Sequence, residues 1–291
     1  MKEYAYFPGC SVKGTARHYE ESLLAVFKAL DLHLKEIDDW NCCGATLYMS
    51  VDPLISFTLS ARNLSKAAMN GNQDVVTPCS ACYLVLLKTQ DHIRRYPYIR
   101  EKVTKSLRAI DLKYKDHIRV RHPLEVLLND LGLEEIRKRV VEPLIGYKIA
   151  PYYGCQIVRP YGMIDDECFP TVMDRLFEAL GAEVIDFPLK TRCCGGSLTG
   201  TLQDVGLRLN YILLHEARLR GANVMATVCP LCQFNLEVYQ DKINKTYKTD
   251  FTMPVLYFTQ LIGLALGLPR KKLGLKRNLV PLKSLEEVIE S

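Results

Sequence analysis

The apolar positions of this chain fall into short runs that alternate between two periods. Residues 4–7 (YAYF) and 148–153 (KIAPYY) are compact apolar runs of strand length. ESLLAVFKALDL at 21–32 and TVMDRLFEALG at 171–181 return apolar side chains every three or four positions and stop at turn residues, which predicts helices. HLKEI (33–37) and EVIDF (183–187) predict a second strand in each series. Helices are expected over 56–71 and 207–222, ending at Gly71 and Gly221, where glycine can take the left-handed turn that closes a helix. Strands follow at 74–77 and 224–228, then a helix, then strands at 118–122 and 254–258, then a closing helix. Repeated strand–helix units predict an α/β fold with a mostly parallel sheet covered by helices.

The pattern occurs twice. AYFPGC (5–10) matches APYYGC (150–155), DVVTPCSAC (74–82) matches NVMATVCPLC (223–232), and VRHPLEVLLNDLGL (120–133) matches VLYFTQLIGLALGL (255–268). The boundary falls near residue 143. Two tandem, duplicated α/β domains are therefore expected, 1–143 and 144–291, each a small sheet flanked by helices.

Composition changes this picture little. Among 291 residues, 48% are hydrophobic and 24% charged, an ordinary globular mix. The net charge of +5 is too weak to argue for nucleic acid. PRKKLGLKR at 269–277 reads as a solvated surface or docking segment. FTMPVLYFTQLIGLALGL (251–268) carries no charge, but Pro254, Gln260 and two glycines make it a buried strand running into a buried helix, so no transmembrane segment is expected. MKEYAYFPGC lacks the apolar core of a secretory leader, and a cytoplasmic setting is expected. Thiols stay reduced there, so the eleven cysteines are read as metal ligands or redox groups before disulfides.

Ten of the eleven obey the repeat. The first half reads C-x31-CC-x35-C-x2-C and the second C-x37-CC-x34-C-x2-C. Each cluster follows a predicted strand, and ligands of open α/β sheets sit beyond the carboxyl ends of strands. The metal sites are thus expected beyond the carboxyl ends of the strands. A zinc ion takes four ligands, as does an ordinary iron–sulfur cluster; each half offers five. Neighbouring Cα atoms lie only about 3.8 Å apart, so paired cysteines suit close-set metals of a polynuclear cluster better than one tetrahedral zinc. Zinc in one half remains the alternative. The C-x2-C pairs open helices, whose N-termini favour thiolate. Cys168 lies outside the pattern and is expected to be a packed free cysteine.

With both motifs complete, and with YYGC, MDRLFEALGAE, CPLCQFNL and YFTQLIGLALGL around them, the chain resembles the CCG-domain family, in particular the B subunits of heterodisulfide reductases, along essentially its whole length. The resemblance implies two noncubane [4Fe–4S] clusters facing one another across the cleft between the domains, one on Cys10, Cys42, Cys43, Cys79 and Cys82, the other on Cys155, Cys193, Cys194, Cys229 and Cys232. It also implies a complex in which a small ferredoxin-like iron–sulfur protein (the C component) delivers electrons and a flavoprotein (the A component) stands behind it. The chain has neither a ferredoxin cysteine run nor a G-x-G-x-x-G fingerprint of its own, so a partner must feed it. The expected function is the catalytic subunit of a heterodisulfide reductase or related complex that cleaves or forms a disulfide, two one-electron centres sharing a two-electron reaction. One rival is a CCG electron-transfer subunit of a flavin dehydrogenase that passes electrons to quinone; another is a zinc-stabilised scaffold. Lys13 and Arg159, just after the first cysteine of each set, are candidates for holding anionic parts of a thiol substrate, with Lys190 and Arg192 a weaker case. The six histidines, His215 among them, have no metal spacing to the cysteines and are given no role.

Overall fold

The computed structural model describes residues 2–162 and 164–282. The last residues of the expected second domain, 283–291, lie outside that range. Two four-stranded sheets form, and every strand pairing is parallel. The first contains β1 (Lys2–Tyr6), β2 (Leu32–Glu36), β3 (Asp74–Val76) and β4 (Arg119–Arg121), ordered β2-β1-β3-β4. The second contains β5 (Lys148–Tyr152), β6 (Glu183–Val184), β7 (Val224–Thr227) and β8 (Val255–Tyr257), ordered β6-β5-β7-β8. The α/β class and the duplication are both visible in this identical order.

Helix ends differ from the periodicity for identifiable reasons. The first long helix spans Arg17–Ala29, four residues ahead of its expected start, because His18, Tyr19, Ser22, Leu23, Val26 and Phe27 form its buried stripe. Polar neighbours in RHYEE hide the first two in an apolar count. The helix Pro53–Ala67 starts at Asp52, whose carboxylate accepts the Leu54 N–H at 2.8 Å, with Pro53 at the first position. EVIDF gives only two ladder residues: past the Ile185 N–H, bonded to Ile149 O at 2.9 Å, the chain turns to bury Phe187 in the core of the second half.

The two halves interlock. The closing helix of the second half, Phe258–Ala265, packs on Arg17–Ala29 of the first. The closing segment of the first half, Leu133–Lys138, packs on Val172–Ala179 of the second. Ser22 Oγ meets Thr259 Oγ1 at 2.7 Å, and Tyr19 stacks on Tyr257 with ring centroids 4.1 Å apart. One continuous core accordingly takes side chains from both sheets, Tyr4 and Val75 from one and Ile149 and Leu256 from the other. The uncharged stretch 251–268 is the expected buried strand and helix, and among the described residues no helix is long and apolar enough to cross a membrane. The basic segment 269–277 is more than a solvated tail. Leu273 is fully buried, fitting against Gly263, and Arg277 pairs with Glu21 at 3.0 Å. Leu273 and Leu275 are buried among its cations, and the Arg277–Glu21 pair ties this segment to the first half.

Candidate metal centre

Each expected ligand sits at the carboxyl end of a strand. Cys10 opens the short helix Cys10–Lys13 after β1, Cys42 and Cys43 follow β2, and Cys79 is the residue capping helix Ser80–Arg95 after β3. The second half repeats this: Cys155 follows β5, Cys193 and Cys194 follow β6, and Cys229 caps helix Pro230–Val238 after β7. Parallel strands all deliver their ends to the same side of a sheet, which is why cysteines far apart in sequence converge.

None of the ten is in a disulfide. Cys43 and Cys82 bring their sulfurs to 3.2 Å, and Cys194 and Cys232 to 3.6 Å. Hydrogen bonding also links Cys42 to Cys43, Cys79 to Cys82, and Cys155 to Cys193. Cys10 is exposed, as is Cys193 in the other set. Cys168 is exposed in a loop rather than packed, its backbone N–H bonded to Asp166 at 2.8 Å, and it joins neither set. The two sets meet across the halves: Cys79 is pushed well above the usual thiol range by its hydrogen bond to Cys229, while Cys232 and Cys79 together hold Cys229 well below it. Cys193 is lowered to about 6 by the Cys155 thiol, helped by the Gly195 N–H at 3.3 Å and by the charge of Arg159.

The backbone around the sulfurs is built twice in the same way. Gly9 and Gly154 have positive φ, and a Cβ there would lie 2.8 Å from Cys82 Sγ and 3.0 Å from Cys232 Sγ. Only glycine lets the chain pass so close to the thiol. Ser60 Oγ donates to Cys43 O at 2.6 Å, and Asn210 Nδ2 donates to Cys194 O at 2.9 Å. Both lie on the long helix that follows the paired cysteines and hold the second of the pair by its carbonyl. Asn63 exchanges hydrogen bonds with the backbone of Asn41, and Asn235 reaches Gly196 O at 2.9 Å. Periodicity gave no reason to single these residues out; for Ser60 and Asn210 the available signal was a polar side chain at a buried helical position at nearly the same offset from each cysteine pair.

An all-thiolate donor set is what iron–sulfur clusters and zinc take. Among the described residues no three Cys, His, Asp or Glu side chains converge on a single-ion position. The sulfurs instead lie in pairs, Cys43 with Cys82 and Cys194 with Cys232. A cavity of about 150 Å³ opens beside the second set, lined by Cys155, Cys193, Cys194, Cys229 and Cys232 together with Thr46 and Ser80 of the first half. The Ser80 hydroxyl is buried there without a hydrogen-bond partner.

The cations nominated from sequence are mostly engaged. Lys13 pairs with Glu20 at 2.7 Å and Glu36 at 2.6 Å. Arg159 donates to Thr191 O at 2.6 Å and Glu167 O at 3.3 Å. Lys190 pairs with Asp174. Arg192 is exposed, its carbonyl accepting the Tyr152 hydroxyl at 2.6 Å. His215 packs beside Tyr211, away from the cysteines.

The CCG family description, a cysteine-rich domain, matches residues 4–87 and 149–237. The 8-methylmenaquinol:fumarate reductase membrane anchor subunit of Wolinella succinogenes is 34% identical over 96% of this chain and 98% of its own length. The heterodisulfide reductase B-subunit-like protein of Archaeoglobus profundus is 30% identical, over 94% of both chains. The B subunit of the ferredoxin/F420H2-dependent CoB–CoM heterodisulfide reductase of Methanosarcina acetivorans is 28% identical over 96% of this chain and 94% of its own. Among solved structures, a hypothetical protein from Helicobacter pylori has the same fold, with a TM-score of 0.76 at 17% identity; it covers 96% of this chain, which spans about half (52%) of that one.

Proposed function

The chain belongs to the CCG family of cysteine-rich domain proteins, and from that premise we propose that it is the iron–sulfur, electron-transferring subunit of a larger oxidoreductase complex. In this reading Cys10, Cys42, Cys43, Cys79 and Cys82 hold one noncubane [4Fe–4S] cluster, and Cys155, Cys193, Cys194, Cys229 and Cys232 hold another. Such clusters, when bound, supply and accept electrons singly, so a pair of them serves a two-electron substrate. The observation that carries the reading is the contact of the two thiol sets at Cys79 and Cys229, beside a cavity walled by both halves. The rest of the work belongs to the protein. Ser60, Asn210 and the paired glycines fix the thiols in place. The stacked Tyr19 and Tyr257, both fully buried, keep water from the junction of the two sets. The Ser80 hydroxyl is a free donor toward whatever fills the cavity. A flavoprotein and a ferredoxin-like protein are the expected electron partners, since the chain has no ferredoxin run of its own.

Two substrates fit. One is the disulfide or thiol of the heterodisulfide reductase reading, cleaved or formed at the cavity. The other is a quinol, as in the name of the Wolinella relative. The cavity lining supports the quinol. It contains no lysine or arginine, and Lys13, Lys190 and Arg159 are already engaged by carboxylates or carbonyls. A disulfide with several anionic arms would find no unpaired cation in that lining, whereas a neutral quinol head asks for none. On this reading Arg159 tunes the charge around Cys193, while Lys13 is held by Glu20 and Glu36.

The test is to purify the chain without oxygen and count iron, sulfide and zinc. About eight irons and eight sulfides per chain are expected for two four-iron clusters; zinc in place of iron in either half would overturn the two-cluster reading. EPR spectra of the purified complex that change on adding a menaquinol analogue and not a charged heterodisulfide would support the quinol. The opposite response would return the site to disulfide chemistry.

A further inference from the structure

The two thiol sets repeat one design, yet three positions around them differ, and each difference favours negative charge on the second set. The first is the residue that opens the helix after β3 or β7. Ser80 starts helix Ser80–Arg95 and Pro230 starts Pro230–Val238, each directly after the capping cysteine. Ser80 is 1% exposed, and its hydroxyl has no hydrogen-bond partner. It lines the cavity of the second set although it belongs to the first half. A buried hydroxyl left unpaired is costly, which points to a partner within the cavity. Pro230 has neither a hydroxyl nor an N–H, so it returns no such contact.

The second difference lies six residues beyond the same capping cysteines. Asn235 is buried and donates from Nδ2 toward Cys194 Sγ at 3.5 Å, besides holding Gly196 O at 2.9 Å. Val85 stands at that position in the first half and has nothing to donate. Among the described residues, the side-chain donors to first-set sulfurs are other cysteines. The third difference is the cation that follows the first cysteine of each set. Arg159 donates to the carbonyl oxygens of Thr191 and Glu167, which leave its charge in place close to Cys193 in the chain. Its counterpart Lys13 meets both Glu20 and Glu36, so that group of three carries a net negative charge.

We infer that the two sets are electrically unequal: Ser80, Asn235 and Arg159 raise the reduction potential of the group held by the second set above that of the group held by the first. The inference rests on the two-cluster reading and gives each half a different part in it. A reduced cluster carries one more negative charge than an oxidised one, and donors to its sulfurs, with nearby cations, stabilise that charge. The second set has an amide donor, a hydroxyl facing its cavity and a guanidinium bonded only to carbonyls. The first has a valine and a net-negative ion group. A hydrogen bond to a charged group shifts a two-state balance by about tenfold or more, which is about 59 mV for a one-electron couple. An electron shared between the sets therefore rests mostly on the second, whose five thiols also line the cavity. The set that borders the substrate space is thus the one that holds the electron more firmly, whichever substrate enters.

The experiment is an EPR-monitored redox titration of the anaerobically purified, iron-loaded chain with no substrate present. Two midpoints are expected, at least one tenfold step (about 59 mV) apart. Cys155→Ser assigns them, because only the centre it ligates changes line shape or is lost. Ser80→Ala should move the higher midpoint down by about one such step and leave the lower one in place, although Ser80 lies in the other half. Asn235→Val, which copies the residue of the first half, should lower the same midpoint. Ser80→Ala leaves no partner unpaired, so it decides the matter even if Asn235→Val loses iron. Coincident midpoints in the wild-type chain would overturn the inference. So would a higher midpoint that belongs to the first set, or a Ser80→Ala chain that titrates as wild type does. An iron count short of two clusters would sink the two-cluster reading, and this inference with it, before any titration. Two full clusters of equal potential would sink the inference alone, so the two failures are separate results.

Discussion

Gly9 and Gly154 provide a paired test of how the backbone holds the thiols. Gly9 sits at φ 75° and ψ 164°, a region essentially reserved for glycine, where any other residue costs about 1–3 kcal/mol. Alanine adds a second effect. Its Cβ would stand 2.8 Å from Cys82 Sγ, where ordinary contact begins at 3.4 Å. The sulfur must then move by about 0.6 Å, beyond the roughly 0.2 Å that a metal–ligand distance tolerates. Gly71 and Gly221 separate the two effects. Both have positive φ, 78° and 83°, and an added Cβ at either meets nothing within 4 Å. Gly71→Ala should therefore cost about 1–2 kcal/mol of backbone strain, a Tm drop of roughly 2–8 °C for a chain of this size, with iron content unchanged. Gly9→Ala should lower Tm at least as much and also lower iron per chain by about half, because one of two sets is disturbed. Gly154→Ala should act alike on the other set. The assay is iron and sulfide per chain after anaerobic purification, with Tm at a fixed scan rate. Equal iron content in Gly9→Ala, Gly71→Ala and wild type would refute the argument that these glycines set thiol positions.

Ser60→Ala removes the buried hydrogen bond to Cys43 O and should destabilise by about 1–3 kcal/mol; Asn210→Ala removes bonds to both Cys194 O and Gly206 O and should cost more, read from urea midpoints. His122 is fully buried, its Nε2 3.0 Å from Pro78 O and its Nδ1 accepting the Leu124 N–H, and burial lowers its pKa to about 4. Because the unfolded chain binds that proton near pH 6.5, this stability is complete above 6.5, is lost as pH falls toward 4, and amounts to roughly 3 kcal/mol. His122→Gln should flatten the pH dependence of the urea midpoint over that range; an unchanged slope would dismiss the assignment. Lys13→Met should leave substrate affinity unaltered, since Glu20 and Glu36 already hold the ammonium, and should change stability by no more than about 1 kcal/mol.

Much of the architecture could be read in the chain because it is local and stated twice. All eight strands appear within a few residues of their apolar runs, and Cys79 and Cys229 cap helices as the C-x2-C spacing implied. Where the reading fell short, a distant contact had overridden the local pattern. Arg17–Ala29 begins early because Tyr19 has a partner 238 residues away, and the Tyr19 hydroxyl donates to Val228 O at 3.1 Å. β6 is short because Phe187 is drawn into the core, and the basic segment 269–277 is pinned by Leu273.

By itself, then, the order of residues determined the α/β class, the duplication and the ten cysteines at strand ends, since each depends on period and spacing within a few turns of chain. The rest was left to the tertiary structure. Periodicity marks which face of a helix is buried and says nothing of what buries it. The crossed packing of the closing helices, the meeting of Cys79 with Cys229, the grip of Ser60 and Asn210 on the paired cysteines, and the neutralising of Lys13 and Lys190 all join residues that only folding brings together. These contacts set where the thiols lie and which side chains wall the cavity.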